Sequence, residues 1–329
     1  MQQTGKQQKE THMKKKNTTA IVMAAAALTA LTPAMNVCAQ TAAPTKIIVA
    51  DAKTTHHLNL YVAKEKGFLA KRGLAVEIVE VKDLAAARDL VVSGKADVYW
   101  ACPTAVIAAI ANGAPIRIIS QVKAPCTSVL VVAADSPIKD ITDLKGKRVG
   151  GISPTCEAVI TYTQAAQAAK SPFLLEKLAG GAAIAALEAR AVDAAILEEP
   201  QASIAELKGY RFVRDDLAAG IPCRTINART AFLRSNAPAL KALIEAVEEA
   251  NALILKDPVA DEIVEIAHTY TGAPKAAIKQ GNHRLLFQTT IKEEGLSLLA
   301  EALVAQGDIK ENPGTKLYAA EFKGITWGK

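Results

Sequence analysis

Aromatic side chains are scarce in this sequence, with two Trp, six Tyr and six Phe among 329 residues. A core short of rings has to be closed by aliphatic side chains, and alanine is prominent in the apolar half of the composition. That favours helices packed closely on sheets, and it makes a single ring such as Trp100 worth following. No Cys-x-x-Cys pair occurs, which removes the commonest zinc and redox spacings. The Gly-Lys-Ser/Thr ending of a phosphate loop is missing; Gly146 and Gly150-Gly151 are turn glycines. There is no Ser-His-Asp order or zinc-enzyme motif to support catalysis. Beyond the first forty residues no apolar run approaches the roughly 20 residues needed to span a bilayer. No low-complexity stretch supplies a flexible tether.

The N-terminus carries a targeting pattern. Lys14-Lys15-Lys16 is a basic region, Ala20–Leu31 an apolar run, and Val37-Cys38-Ala39 a small-residue cleavage site. Together they read as a signal peptide over residues 1–39, cut before Gln40. Met13 is an alternative start, and Asn36-Val37 is a poor approach to a lipid-modified Cys38. Export also settles the charge. Removing five Lys and one acid from totals of 39 and 33 leaves 34 basic and 32 acidic residues, a net of +2. The basic balance therefore belongs to the signal and argues for neither nucleic acid nor membrane as a partner.

What is present is a repeated local pattern. Ser93–Trp100 and Ala189–Glu198 each finish an amphipathic helix, turn, place an aspartate (Asp97, Asp193) and enter a short apolar strand. The strand then meets a polar loop with a proline, Cys102-Pro103-Thr104 in one case and Glu199-Pro200 in the other. A helix leading into a buried strand is half of a parallel α/β unit, and the chain is long enough for two modest domains. The pattern along the chain predicts strands at 46–50, 75–81, 97–100 and 116–120, with helices at 58–66, 84–92 and 103–111 between them. Thr54–His57 reads as a polar loop. A second set follows: strands at 129–134, 149–152, 173–178, 193–197 and 211–213, with helices at 155–169 and 182–190. Residues 225–233 read as extended. Long helices at 237–256, 259–271 and 291–305 are expected on the first lobe.

The ordered set Tyr61-Val62-Ala63-Lys64-Glu65-Lys66-Gly67-Phe68, Ser93-Gly94-Lys95-Ala96-Asp97, Gly113-Ala114-Pro115-Ile116, Asp143-Leu144-Lys145-Gly146-Lys147-Arg148-Val149-Gly150 and Val192-Asp193-Ala194-Ala195 with Glu199-Pro200 resembles the periplasmic solute-binding proteins of ABC importers. The similar branch is the nitrate, sulfonate, taurine and thiamine-pyrimidine-precursor type, SsuA-like, over roughly residues 45–270. The resemblance implies an α/β, type II periplasmic-binding-protein fold: two doubly wound lobes joined by a two-strand hinge. Lobe 1 would cover 44–126 and 226–329, and lobe 2 would cover 127–225. It implies a periplasmic receptor without catalysis or cofactor that closes on a small anionic or heterocyclic solute. Its partners would be that solute and the membrane subunits of an ABC permease, and the protein itself a monomer. A fungal relative of the fold makes the thiamine pyrimidine with a clustered cysteine motif, which this chain lacks.

Ligands of open α/β sheets sit beyond the carboxyl ends of the strands, which makes Thr55, His56, Trp100, Cys102, Thr104, Thr127, Ser153, Thr155, Cys156, Glu199 and Arg224 the candidate ligand-binding residues. Thr104, Ser153 and Thr155 offer hydroxyls at helix starts that favour anions, with helix capping as the alternative role. Arg224 suits a carboxylate or sulfonate, or is a solvated loop charge. Trp100 is either a flat wall of the cleft or a core residue. Of His56 and His57, at most one is expected to face inward, the other being a surface residue. Glu199 is a hinge or ligand-side acid, or simply a helix-start residue. Cys102, Cys126, Cys156 and Cys223 all fall in strand-end loops. An even number in an exported chain suggests disulfides. Three pairings are open, and 102–126 with 156–223 keeps each bridge within a lobe. The rival reading is a soft-metal or thiol-ligand receptor built on the same four cysteines, helped by His56 or His57.

Overall fold

β1 (Thr45–Asp51) begins the first sheet with a β-branched Ile47-Ile48-Val49 run suited to a pleated, packed surface, and Ile47, Val49 and Ala50 are fully buried. The structure is a computed structural model that describes residues 43–329; the expected signal peptide lies outside the described residues. α1 (Leu58–Glu65) and α2 (Phe68–Lys71) lead to β2 (Leu74–Glu80), α3 (Leu84–Val92) to β3 (Val98–Ala101), and α4 (Pro103–Ala111) to β4 (Ile116–Lys123). Local chemistry sets these boundaries. Gly67 takes φ +71° between α1 and α2, a conformation open to glycine. The Asp83 carboxylate caps α3 by accepting from the Ala86 amide at 2.8 Å. Pro103 opens α4, where its missing N–H has no helical partner to lose.

The second set comprises β5 (Val129–Val132), β6 (Arg148–Gly151), α5 (Glu157–Ala168), β7 (Leu174–Lys177), α6 (Gly180–Glu188), β8 (Ala194–Leu197), α7 (Gln201–Leu207) and β9 (Arg211–Arg214). β10 (Cys223–Arg229) returns to the first sheet. It is followed by α8 (Thr230–Lys256), α9 (Asp261–Thr271), α10 (Lys275–Gly281) and α11 (Glu293–Gln306).

The two sheets have the same build. Their orders are β2-β1-β3-β10-β4 and β7-β6-β8-β5-β9. In each, three parallel strands are joined by a strand antiparallel to them, β10 in one and β5 in the other. The two rhyming sequence passages perform one task. The Asp97 carboxylate accepts from the Ile48 amide at 3.0 Å and Asp193 from the Arg148 amide at 2.8 Å, tying each third strand to its first. The chain passes between the sheets twice, at residues 124–128 and 215–222.

α8 and α9 bury Leu240, Leu243, Val247, Ile263 and Val264 against Ile47, Val98 and Trp100 of the first sheet. α11 joins α4 in a second cluster on that sheet. The second sheet is covered by α5 on one face and by α6 and α7 on the other. No helix among the described residues is long and apolar enough to cross a membrane. Three expectations need correcting. Residues 55–57 form a buried 3-10 turn rather than a polar loop. The extended stretch ends at Arg229, and α8 starts at Thr230 with a kink at Asn236, just ahead of Pro238. The short helices α7 and α10, which pack on each other between the two halves, went unread.

Candidate ligand-binding site

Six strand-end segments of the two sheets meet in one buried polar cluster. The first follows β1. Thr54 starts the 3-10 turn with its hydroxyl accepting from the His56 amide at 3.4 Å, and Thr55, His56 and His57 are all buried. The surface reading of the second histidine is therefore wrong, for a physical reason. His57 Nδ1 lies 2.5 Å from Asp51 Oδ1, and the Tyr61 hydroxyl donates to Asp51 Oδ2 at 2.6 Å, a fully buried set that holds His57 in the core. His56 is turned the other way. Its Nδ1 is 3.7 Å from Cys223 Sγ and 3.9 Å from Glu198 Oε2. Burial, with the positive charges of Lys123 and Arg224, pushes the His56 imidazole well below its ordinary pKa, so it is neutral.

Arg224 is the centre of the cluster. It is the second residue of β10, is 1% exposed, and takes φ +62°, a left-handed conformation that is sterically costly for a non-glycine residue. Its Nη2 donates to both carboxylate oxygens of Glu198 at 2.8 and 2.9 Å. Its Nη1 donates to Cys102 Sγ at 2.7 Å and reaches Glu157 Oε1 at 3.5 Å. The solvated-loop reading of Arg224 is thus corrected: the guanidinium joins the end of β3, the end of β8 and the start of α5. Lys123, at the end of β4, is also fully buried. Among the described residues its ammonium meets only Pro125 O and the Thr127 hydroxyl, at 3.5 and 3.4 Å.

All four described cysteines are buried free thiols. Their neighbours are not those expected. Cys102, after β3, stands with Cys156, before α5; Cys126, after β4, stands with Cys223, at the start of β10. In each group the two Sγ atoms and a Glu157 carboxylate oxygen lie within 4.8 Å of one another. The pairing 102–126 with 156–223 is corrected by topology, because β3 and β6 aim their ends at each other across the lobes. The hydrogen bond with Cys156, together with burial, raises Cys102 well above an ordinary thiol, with Arg224 opposing. The hydrogen bond from Cys223 lowers Cys126 to about 7, against burial and with help from Lys123.

Several candidate atoms are buried here without a partner: Thr55 Oγ1, His56 Nε2, Thr104 Oγ1, Glu157 Oε2 and Arg224 Nε. Buried polar atoms are normally hydrogen-bonded. Trp100 is fully buried in the first core with its ring 6.4 Å from that of His57, and its Nε1 is unpartnered. Ser153 and Thr155 are only part-buried and bond each other, at 3.0 Å between hydroxyls. Glu199 faces elsewhere. It accepts from Arg284 Nη1 at 2.7 Å and from the Ser203 hydroxyl at 2.7 Å, while Arg284 Nη2 donates to Glu206 at 2.6 Å. That network ties α7 to the turn after α10 and so latches the two halves together. Sequence reasoning puts Glu157 and Glu198 in candidate strand-end loops, 153–157 and 198–199, but not among the ligand-binding residues, and misses Lys123 altogether. Their signal was position alone: each adjoins a strand end or helix start already singled out. Surface hollows of about 750 and 740 Å³ are lined by none of these cluster residues.

Comparison with known proteins places this geometry. A family model described as NMT1/THI5 like matches residues 54–261. The chain is 38% identical over 98 residues to the 4-amino-5-hydroxymethyl-2-methylpyrimidine phosphate synthase of Uromyces fabae, covering 30% of this chain and 29% of that protein. The chain thus matches under a third of the length of this curated relative. Among solved structures it is similar to the periplasmic aliphatic sulphonate binding protein SsuA from Escherichia coli, with TM-score 0.72, 21% identity, and 82% and 90% of the two chains covered. It is also similar to the periplasmic nitrate-binding protein NrtA from Synechocystis PCC 6803, with TM-score 0.67, 17% identity, and 83% and 84% covered. These likenesses establish the two-lobe, type II periplasmic-binding-protein fold.

Proposed function

The chain belongs to the NMT1/THI5-like family, and from that premise we propose that it is an exported solute receptor: it captures a small molecule between its lobes and delivers it to an ABC permease. The observation that carries this reading is the cluster itself. Loops from both sheets, at the ends where α/β ligands bind, meet around buried polar atoms that lack partners. A solute with complementary donors and acceptors would satisfy Thr55, Thr104, His56 and Glu157. The two lobes would close by hinge motion about residues 124–128 and 215–222, held shut by Arg224–Glu198 and by Arg284 with Glu199 and Glu206.

The sulfonate and nitrate receptors of similar fold suggest an anion. Arg224 supports that reading less than its position promises, because its guanidinium is already occupied by Glu198, Glu157 and Cys102. Lys123, buried with no carboxylate within 4 Å among the described residues, is the better anion anchor. The synthase activity of the curated relatives gains little support from the site. The thiol–imidazole contact, Cys223 to His56, rests as a protonated thiol and a neutral imidazole, whereas a cysteine nucleophile works as a thiolate.

The test is mass spectrometry of small molecules released by denaturing protein isolated from the extracytoplasmic fraction, followed by scattering of the stripped protein with the released compound restored. A compound at one per chain, with a smaller radius of gyration once restored, is the expected result. An unchanged radius at saturation contradicts the receptor reading.

A further inference from the structure

The Cys102–Cys156–Glu157 group has the composition and size of a soft-metal site. Two donors that each lie roughly 2.3 Å from a metal ion stand about 3.8 Å apart in tetrahedral geometry and about 4.6 Å apart in a linear one. The two sulfurs and the Glu157 carboxylate oxygen already lie within 4.8 Å of one another. Both thiols are free. A second observation points the same way. Glu157 is 1% exposed, and its Oε2 has no partner, so a buried carboxylate oxygen is left for a ligand.

We propose that this triad captures a thiophilic metal cation, the class that thiolates select over hard ions such as Mg²⁺ and Ca²⁺. The proposal goes beyond the receptor reading above: the ion is bound beside the solute and is not the solute itself. Binding a divalent ion exchanges two thiol protons, released to solvent, for two metal–sulfur bonds, so that charge balances between M²⁺ and the two thiolates. The carboxylate of Glu157 completes three protein donors. Arg224 Nη1, 2.7 Å from Cys102 Sγ, donates to the metal-bound sulfur and opposes the negative charge gathered there. Cys102 follows a strand of the first sheet and Cys156 a strand of the second. The strongest bonds to the ion therefore join the two lobes, and capture and closure are one event.

The test uses the full mature chain, reduced and handled without oxygen, with Cd²⁺ as the probe and Mg²⁺ and Ca²⁺ as controls. The cadmium–thiolate charge-transfer absorption, native mass spectrometry and alkylation mapping by peptide mass are read together. The expected result is a saturable charge-transfer band, a one-ion adduct, protection of Cys102 and Cys156 from alkylation, and none of these with the hard ions. A Cys102→Ser/Cys156→Ser double variant should lose the band, and Cys126→Ser/Cys223→Ser should keep it. The protection map on the unaltered chain covers the case in which a variant fails to fold. A band that survives the first double variant and disappears in the second overturns the assignment in favour of the hinge thiols. Absence of any band, or equal binding of Mg²⁺, overturns it altogether. An organic compound released from the protein, together with no Cd²⁺ binding, sinks the metal and leaves the receptor standing; no released compound, no Cd²⁺ binding and no compaction sinks both.

Discussion

Replacing Arg224 by Met probes the cluster at its centre. The guanidinium binds Glu198 through two N–H contacts and is the cation within 4 Å of Glu157 among the described residues. Glu198 is 22% exposed and regains water when the partner goes; Glu157, at 1%, does not. Breaking a buried pair from one side costs about 3–5 kcal/mol, because the surviving charge is stranded. One kcal/mol moves the melting temperature of a chain this long by about 2 °C, so R224M should melt roughly 6–10 °C lower. Two companions separate the causes. R224G loses the same charge and relieves the left-handed φ of +62°, a strain of about 1–2 kcal/mol, but empties the space of a fully buried side chain at about 2–5 kcal/mol, so it should melt no higher than R224M. Glu157→Gln in the R224M background removes the stranded carboxylate and should recover much of the loss. Scanning calorimetry reads all four proteins. An R224M melting point within a degree of the parent, or a double variant no better than R224M, refutes the reasoning.

Gly281 faces the latch from α10. A Cβ there would overlap Glu199 Oε2 and Ser203 Oγ, so Gly281→Ala should cost about 1–3 kcal/mol by overpacking and enlarge the radius of gyration; calorimetry and scattering check both, and an unchanged protein argues against the latch. The acid limb of stability should depend on Asp51. Burial raises its pKa, and His57 and Tyr61 more than offset this, leaving it below the ordinary 3.8. A depressed carboxylate stabilises fully above its unfolded value and loses that contribution as pH falls through the folded one. Melting measured from pH 6 down to 2 should therefore fall more steeply below about pH 4 in the parent than in Asp51→Asn; parallel curves would count against the buried Asp51–His57–Tyr61 set.

Much of the fold was legible because periodicity and punctuation agree with the tertiary structure. α3 and α4 match the sequence reading to the residue, bounded by Asp83, Pro103 and local turns. The repeated aspartates announced two similar sheets, and Asp97 and Asp193 do tie equivalent strands. α7 and α10 were not legible, since seven-residue helices show barely two turns of periodicity and are fixed by packing on each other. At the site, position in the chain identified the loops but not the partners. That Arg224 would be spent on Glu198, that Glu199 would turn to Arg284, and that Cys102 would stand beside Cys156 are consequences of how two sheets face each other. His56 and His57, adjacent in sequence, went to different tasks because Asp51, itself held by the Tyr61 hydroxyl, claims one ring only.

The central claim is that strand ends from both lobes converge on one buried site, and the cysteines report it directly. Brief, mild oxidation of the native, reduced chain followed by peptide mapping of the bridges formed should yield 102–156 and 126–223, the pairs that share the Glu157 carboxylate. Bridges 102–126 and 156–223 would contradict these neighbours and the account built on them.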